Sequence, residues 1–313
     1  MVAARQEIRN RRLSEHTEKA YLDWMYRFLT FHHTLLPDEL TEKEIGTFLS
    51  FQAVSKQAPS STQNLALHAV LFLYRHVFKR TAKKIRFIRV KRTTGNLTVF
   101  SREEIRQLLL QLTGEKKLII SLLYGCGLNL NECLSLRIQD VDFEDNILFI
   151  RKTSTEETRT LRIPDKLREE MISRVEALRY RFMHLSIHGY CGVSIPESVK
   201  NSQPEAEKSF SWFFLFPTMK PVRLVGKGSE RFHHRSETYV QKALRNVLKK
   251  AGIKKKASCR SLRHSYAVHL LKEGRDIYDV QKLLGHKNIR NTLVYKQFIK
   301  TQSGVPDSPL DNL

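Results

Sequence analysis

Apolar residues recur every three to four positions through TEKAYLDWMYRFLTFHH, residues 17–33, placing Ala20, Trp24, Phe28 and Phe31 on one stripe. That spacing predicts a helix with one face buried against neighbouring helices. Thr41 and Glu44 form a capping-box pattern opening EIGTFLSFQ, and Ser60 or Ser61 stands where QNLALHAVLFLYRHVF needs a cap. Residues 14–79 carry almost no strand signal, so the chain opens with a small helical domain. Ser101 and Glu104 repeat the capping box before IRQLLLQL, which starts a second domain near residue 99.

The second domain reads as helical through LIISLLYG and again over 131–136. ILFIR and TRTLRI, separated by TSTEE, are rich in β-branched and apolar residues and predict a two-stranded hairpin. Helical patterns return at 164–185, 237–251, 262–273, 276–284 and 289–298. Between them, residues 186–235 hold most of the domain's Pro, Ser and Gly and the aromatic run SFSWFFLFP. That stretch is too long for a plain connector, so it is either functional or partly disordered. The expected fold is mainly α with a small antiparallel β-sheet, an α+β domain behind an all-α N-terminal domain.

Charge changes the picture. Lys and Arg number 54 against 32 Asp and Glu, a formal net charge of +22. Such an excess repels itself unless a polyanion meets it, which makes nucleic acid the leading partner and a merely solvated basic surface the alternative. The segment KRTAKKIRFIRVKR concentrates it: Lys79, Arg80, Lys83, Lys84, Arg86, Arg89, Lys91 and Arg92 alternate with Ile85, Phe87, Ile88 and Val90. A strap of this kind can lie along a phosphate backbone, each cation releasing a counterion; an ordinary flexible linker is the plainer reading. No run approaches the roughly 18 apolar residues of a membrane span and no signal-peptide core is present, so the expected location is cytoplasmic, with no membrane partner. Cys126, Cys133, Cys191 and Cys259 lack metal-site spacing and read as reduced thiols; no metal and no cofactor is expected.

The stretch SLRHSYAVHLLKEGRDIYDVQKLLGHKNIRNTLVYKQF resembles the C-terminal box of the tyrosine recombinases, the phage integrase family, and GCGLNLNECLSLRIQDVDF looks like that family's other box. GYCGVSIPESVK, WFFLFP and RFHHRSETYVQKALRNVLKKAGI are similar to the extra segment of the integron integrases. The resemblance implies a SAM-like core-binding domain over 1–80, a basic linker over 81–98, a catalytic domain over 99–298 with an insert at about 186–235, and a C-terminal tail over 299–313. It further implies a bacterial enzyme that cuts and rejoins DNA through a 3′-phosphotyrosine intermediate in a tetrameric synapse. Its substrates would be duplex sites and folded single-stranded sites with protruding bases.

By that resemblance Tyr295 is the nucleophile, Arg263 the second catalytic arginine and His286 the histidine of the LGH motif. A phenol with an ordinary pKa near ~10 needs a positive field to attack a phosphodiester, and guanidinium and imidazole donors stabilise the charge that grows on the phosphoryl oxygens. Gly285 reads as the residue that ends a helix, projecting His286 from a turn. Three expected groups are replaced: the first arginine by Asn129, the hairpin lysine by Ser154 and a histidine by Arg260. Lys152, two residues before Ser154, is a possible substitute, and Arg260 returns a charge one helical turn from Arg263. Trp212, His233 and His234 are candidate platforms for unstacked bases; the plain alternative for WFFLFP is a buried strand. Two readings therefore stand: a recombinase of weakened activity, or a relative that recognises sites without cutting.

Overall fold

A computed structural model describes residues 1–11, 13–90, 97–151, 158–223 and 230–299. Lys91, Arg92, Lys152, Ser154 and residues 300–313 of the tail lie outside the described residues. The chain divides into two units, Met1–Asn96 and Leu97–Leu313.

In the first unit, the Ser14 hydroxyl accepts from the Thr17 amide and starts α2 (Glu15–Phe31), which follows α1 (Val2–Asn10). Thr41 and Glu44 close the expected capping box at the head of α3 (Glu42–Val54). Helix α4 (Ser60–Phe72) starts earlier than the serine pattern predicts. Pro59 is its N-cap and neither serine hydroxyl caps it, because the proline ring already fixes an extended entry (φ −62°, ψ 156°). The α2 stripe is buried at Trp24 and Phe28, where Phe28 meets Phe48 of α3 edge to face at 5.4 Å.

Part of the stretch read as a linker belongs to this unit. Ile85 and Phe87 pack on its core while Lys83, Lys84, Arg86 and Arg89 stay exposed, so over 83–87 the alternation sorts inward and outward, whereas Ile88 is itself exposed. The strap passes α3 at Gly46, where a Cβ would stand 2.2 Å from the Arg86 carbonyl oxygen. The buried Gln63 side chain clasps it, donating to Leu49 O (3.0 Å) and Ile88 O (2.6 Å) and accepting from the Val90 amide (3.2 Å). Arg89 borders a cleft of about 420 Å³ lined also by Ser60, Ser61 and Asn64.

In the second unit, Ser101 and Glu104 cap α5 (Arg102–Leu110) as the sequence predicts. Helix α6 (Gly114–Gly125) is buried from Leu118 to Leu123 and leads to the short α7 (Leu130–Leu134). The hairpin forms from β2 (Ile147–Arg151) and β3 (Thr158–Arg162), with Leu148 opposite Leu161, and a two-residue strand β1 (Val141–Asp142) adds antiparallel to β2. Two residues are too few to carry a period, so β1 leaves no sequence signal. There follow α8 (Asp165–Ile187), α9 (Glu197–Ser202), the paired β4 (Val222–Arg223) and β5 (Glu230–Arg231), then α10 (Glu237–Lys250), α11 (Cys259–Lys272), α12 (Ile277–Leu284) and α13 (Arg290–Leu293). The protein is thus mainly helical with a small antiparallel sheet.

The described part of 186–235 is folded. Phe213 to Phe216 are buried as the aromatic run suggests, but outside any regular strand. Single backbone bonds hold them instead, Leu215 N to Leu136 O at 2.8 Å and Ile138 N to Phe213 O at 3.0 Å. Cys126, Cys133 and Cys259 are buried thiols and Cys191 is half-buried. Among the described residues no helix is long and apolar enough to cross a membrane.

Candidate active site and nucleic-acid interface

Asparagine is a strong N-cap, and Asn129 serves as one. Its Oδ1 accepts from the Glu132 amide at 2.8 Å, its own amide donates to Glu132 Oε2 at 2.9 Å, and α7 starts there. The side chain is therefore committed to the backbone at the position where the resemblance expects an arginine.

Glu132 then acts as a hub. Arg159, on β3, binds it with both terminal nitrogens, Nη1 to Oε1 and Nη2 to Oε2, each at 2.8 Å. Arg263, on α11, donates Nη1 to Oε2 at 3.3 Å. Burial alone would raise the Glu132 pKa, yet the bidentate Arg159 pair and the charge of Arg263 outweigh it and hold the carboxyl below its ordinary value. The Arg263 guanidinium, 8% exposed, also donates to Gly127 O (2.9 Å) and Leu284 O (2.6 Å). The requirement that a buried guanidinium find a partner is met here by a carboxylate and two carbonyls.

Gly285 ends α12 in the left-handed region (φ 64°, ψ 33°), as its place before His286 predicts. A Cβ there would stand 2.8 Å from Arg159 Nη1, so glycine is needed both for the turn and for the close passage of the arginine. His286 follows, half-buried, with Nδ1 2.9 Å from Thr292 Oγ1. Burial, reinforced by Arg263, Arg260 and Arg159, pushes its pKa down to about 4, which leaves it neutral at pH 7. Arg260 is exposed at the head of α11 and adds positive potential at His264, His286 and Tyr295.

Tyr295 sits just past α13 and is 2% exposed. Its ring packs with Ala267, Val268, Leu271, Val280 and Leu284, and its hydroxyl lies 2.8 Å from His264 Nδ1. Burial raises the phenol pKa and the charges of Arg263 and Arg260 oppose that rise. His264 is itself held at about 4 by burial and by Arg260 and Arg263, so at neutral pH an uncharged imidazole meets an uncharged phenol. The hydroxyl faces His264 rather than His286, and solvent does not reach the ring. The structure thus gathers Arg263, His286, Arg260 and Tyr295 in one cluster and leaves the phenol turned inward. Arg159 and His264 belong to the same cluster; neither was assigned a role from sequence, although His264 lies inside the RHS of the quoted box.

The three platform candidates also come together. His233 and His234 have ring centroids 4.0 Å apart, and each meets Phe214 edge-on at 5.5 Å. Arg137 lies over both Trp212 (4.9 Å) and Phe214 (4.1 Å), linking the half-buried Trp212 to the histidines. Among the strap residues, Arg80 pairs with Asp38 at 2.6 Å, and Lys79, Lys83, Lys84, Arg86 and Arg89 present exposed side chains. Among the described residues no cluster of His, Cys, Asp or Glu could hold a metal ion.

Comparison with known proteins agrees with this arrangement of elements. Residues 98–301 match the phage integrase family, and residues 1–84 match the phage integrase N-terminal SAM-like domain. An integrase/recombinase of Escherichia coli is 33% identical over 310 residues, 99% of this chain and 92% of the relative. A tyrosine recombinase of Pseudothermotoga lettingae is 27% identical over 91% of this chain and 88% of its own. Among solved structures, the Tn1549 transposon integrase in complex with transposon right end DNA superposes with a TM-score of 0.61 at 15% identity, covering 94% of this chain and 93% of that one. The XerH site-specific recombinase bound to palindromic difH substrate gives 0.60 at 17% identity, over 90% and 76%. These likenesses extend the shared fold beyond the sequence motifs. With its catalytic-domain match, its SAM-like N-terminal match and a relative one-third identical along nearly its whole length, the chain is a member of the phage integrase family of tyrosine recombinases.

Proposed function

We propose that the protein is a site-specific DNA recombinase of the integron integrase type whose strand cleavage is weakened by the groups at Asn129, Ser154 and Arg260. The observation that carries this reading is the convergence of His286, Arg260 and Tyr295 on Arg263, which Glu132 holds in place. The phenol oxygen would bond to the phosphorus of a DNA phosphodiester as the bond to the 5′ oxygen breaks; the phenol gives up its proton and the departing 5′ oxygen takes one up, so the step balances. Arg263 and neutral His286 would donate hydrogen bonds to the phosphoryl oxygens. Because the Tyr295 ring is buried, the segment after α13 has to turn the phenol outward first. Bound phosphate supplies a reason for Arg263 to exchange its carbonyl partners for phosphoryl oxygens.

The integron assignment rests on Trp212, His233 and His234, gathered around Phe214 and Arg137. A flat half-buried tryptophan beside two imidazoles suits extruded bases, at ~1 to 3 kcal/mol per stacked base. DNA binding draws support from the +22 charge, the outward cations of the strap and the DNA complexes of the fold's relatives. We assign the DNA complex a homotetrameric state and the protein a bacterial cytoplasmic location.

A second reading, recognition without cutting, is favoured by one specific observation: Asn129 is committed to capping α7 and carries no charge. A suicide substrate that traps phosphotyrosine adducts separates the two. The recombinase reading expects a slow covalent adduct on a denaturing gel that Tyr295→Phe abolishes. An absent adduct with intact DNA binding establishes the binding module; an adduct that survives Tyr295→Phe refutes the site.

A further inference from the structure

We propose that Arg174, Arg181 and Arg235, with Lys116, form a second phosphate site for the backbone of a nucleic-acid strand, at the end of α6 away from Tyr295. Glu115 opens α6, while Gly127, whose carbonyl accepts from Arg263, follows its C-terminus. Twelve helical residues put about 18 Å between the two ends, so the cluster is separate from the candidate active site.

Among the described residues Arg174 and Arg235 both pair with the Glu115 carboxylate. Arg174 Nη2 reaches Oε2 at 2.5 Å and Arg235 Nε reaches Oε1 at 2.7 Å. Arg174 and Arg181 lie seven residues apart on α8, both turned to the same segment: Arg174 Nε donates to Leu215 O (3.1 Å), and Arg181 Nη2 donates to Thr218 O and Met219 O (2.8 Å each). Arg235 and Lys116 both lie over the Tyr239 ring, at 4.8 and 5.3 Å. Two guanidiniums thus share one carboxylate, with Arg181 on the same helix as Arg174 and Lys116 over the same ring as Arg235. The guanidiniums feel one another: burial, then Arg174 and Arg235, hold the Arg181 pKa below its ordinary value.

Their geometry leaves donors for a ligand. Among the described residues Arg235 engages side-chain acceptors through Nε and Arg181 engages carbonyls through Nη2, and their other N–H groups have no acceptor there. The Arg174 and Arg235 side chains are 21% and 19% exposed and Lys116 is exposed, so an anion can enter from solvent. Fixed guanidinium forks held by carbonyls and aromatic faces suit a phosphate, with bidentate N–H···O bonds. The excess of cations over carboxylate is the charge a strand phosphate would balance.

Salt titration of duplex binding by the full chain, as wild type and as Arg181→Gln/Arg235→Gln, tests the site. The site rests on the DNA-binding reading above, and its readout is the salt slope of binding rather than adduct formation through Tyr295, so failure of the one leaves the other standing. The slope of log K against log salt is expected to fall by about 0.9 for each phosphate that the variant no longer neutralises. Arg181→Lys/Arg235→Lys, which keeps the charge, is expected to retain most of the slope. Should the glutamine variant fail to fold, the arginine Nε–H resonances of the wild type on titration with duplex and with inorganic phosphate give the answer. Shifts of Arg174, Arg181 and Arg235 with duplex support the proposal. Shifts with inorganic phosphate alone and an unchanged slope would reassign the site to a free anion and overturn it, and an unchanged slope with unmoved resonances would dismiss it altogether.

Discussion

The hydroxyl of Tyr295 lies 2.8 Å from Nδ1 of His264, and the aromatic ring that carries it is packed among five aliphatic side chains. A residue that the family resemblance assigns as a nucleophile is thereby also a core residue of its domain. Both roles are open to measurement.

Tyr295→Phe keeps the ring and removes one buried hydrogen bond, leaving the His264 nitrogen without its partner. The expected cost is about 1 to 3 kcal/mol in chemical denaturation, alongside complete loss of covalent DNA capture. A variant as stable as wild type would mean that the hydroxyl contributes nothing to the fold.

Glu132→Gln removes the carboxylate that Arg159 and Arg263 share, stranding two arginines whose side chains are 13% and 10% exposed. Breaking a buried pair from one side costs about 3 to 5 kcal/mol, and this change is expected to reach that range. Arg159→Gln, which leaves Glu132 one guanidinium, should cost less. Equal losses in the two variants would argue against the hub.

His264 and His286 have folded-state pKa values near 4 against an ordinary 6.5. Between those values the unfolded chain binds protons that the folded chain refuses, so stability is expected to fall as pH drops from about 6.5 to 4. Each histidine contributes at most about 1.4 kcal/mol for every pH unit crossed in that window. Above pH 6.5 the histidine contribution is flat. Denaturant midpoints measured across this range check the sign, and His264→Gln should flatten the slope.

Asn129→Arg removes the α7 cap, at about 0.5 to 2 kcal/mol, while offering a second guanidinium to a bound phosphate. Combined with Ser154→Lys and Arg260→His, it is expected to raise the yield of trapped phosphotyrosine adduct over wild type. A triple variant that folds, binds DNA and traps no more would count against the pocket as assigned.

Much of this was legible where the chemistry is local. Thr41 with Glu44 and Ser101 with Glu104 close their capping boxes because cap and partner are three residues apart. Gly285 takes the left-handed turn for the same reason. The start of α4 was missed because Pro59 supplies through its ring what a serine would supply by hydrogen bonding. Arg159 was invisible as a site residue because its importance lies in Glu132 and Gly285, 27 and 126 positions away, brought together only by packing of β3 on α7 and α12. The inward pose of Tyr295 follows likewise from tertiary packing, since motif spacing names a residue without giving its direction.

The Gln63 clasp bears on how the protein can be divided. With one amide joining α3, α4 and residues 88–90, any N-terminal fragment that stops short of Val90 strips a buried side chain of its acceptor at Ile88 and of its donor at Val90. Cutting at the end of the last helical turn, the boundary that secondary structure alone invites, would leave an orphaned carboxamide and uncover the faces that Ile85 and Phe87 close. The smallest autonomous N-terminal piece therefore carries its own basic edge with it.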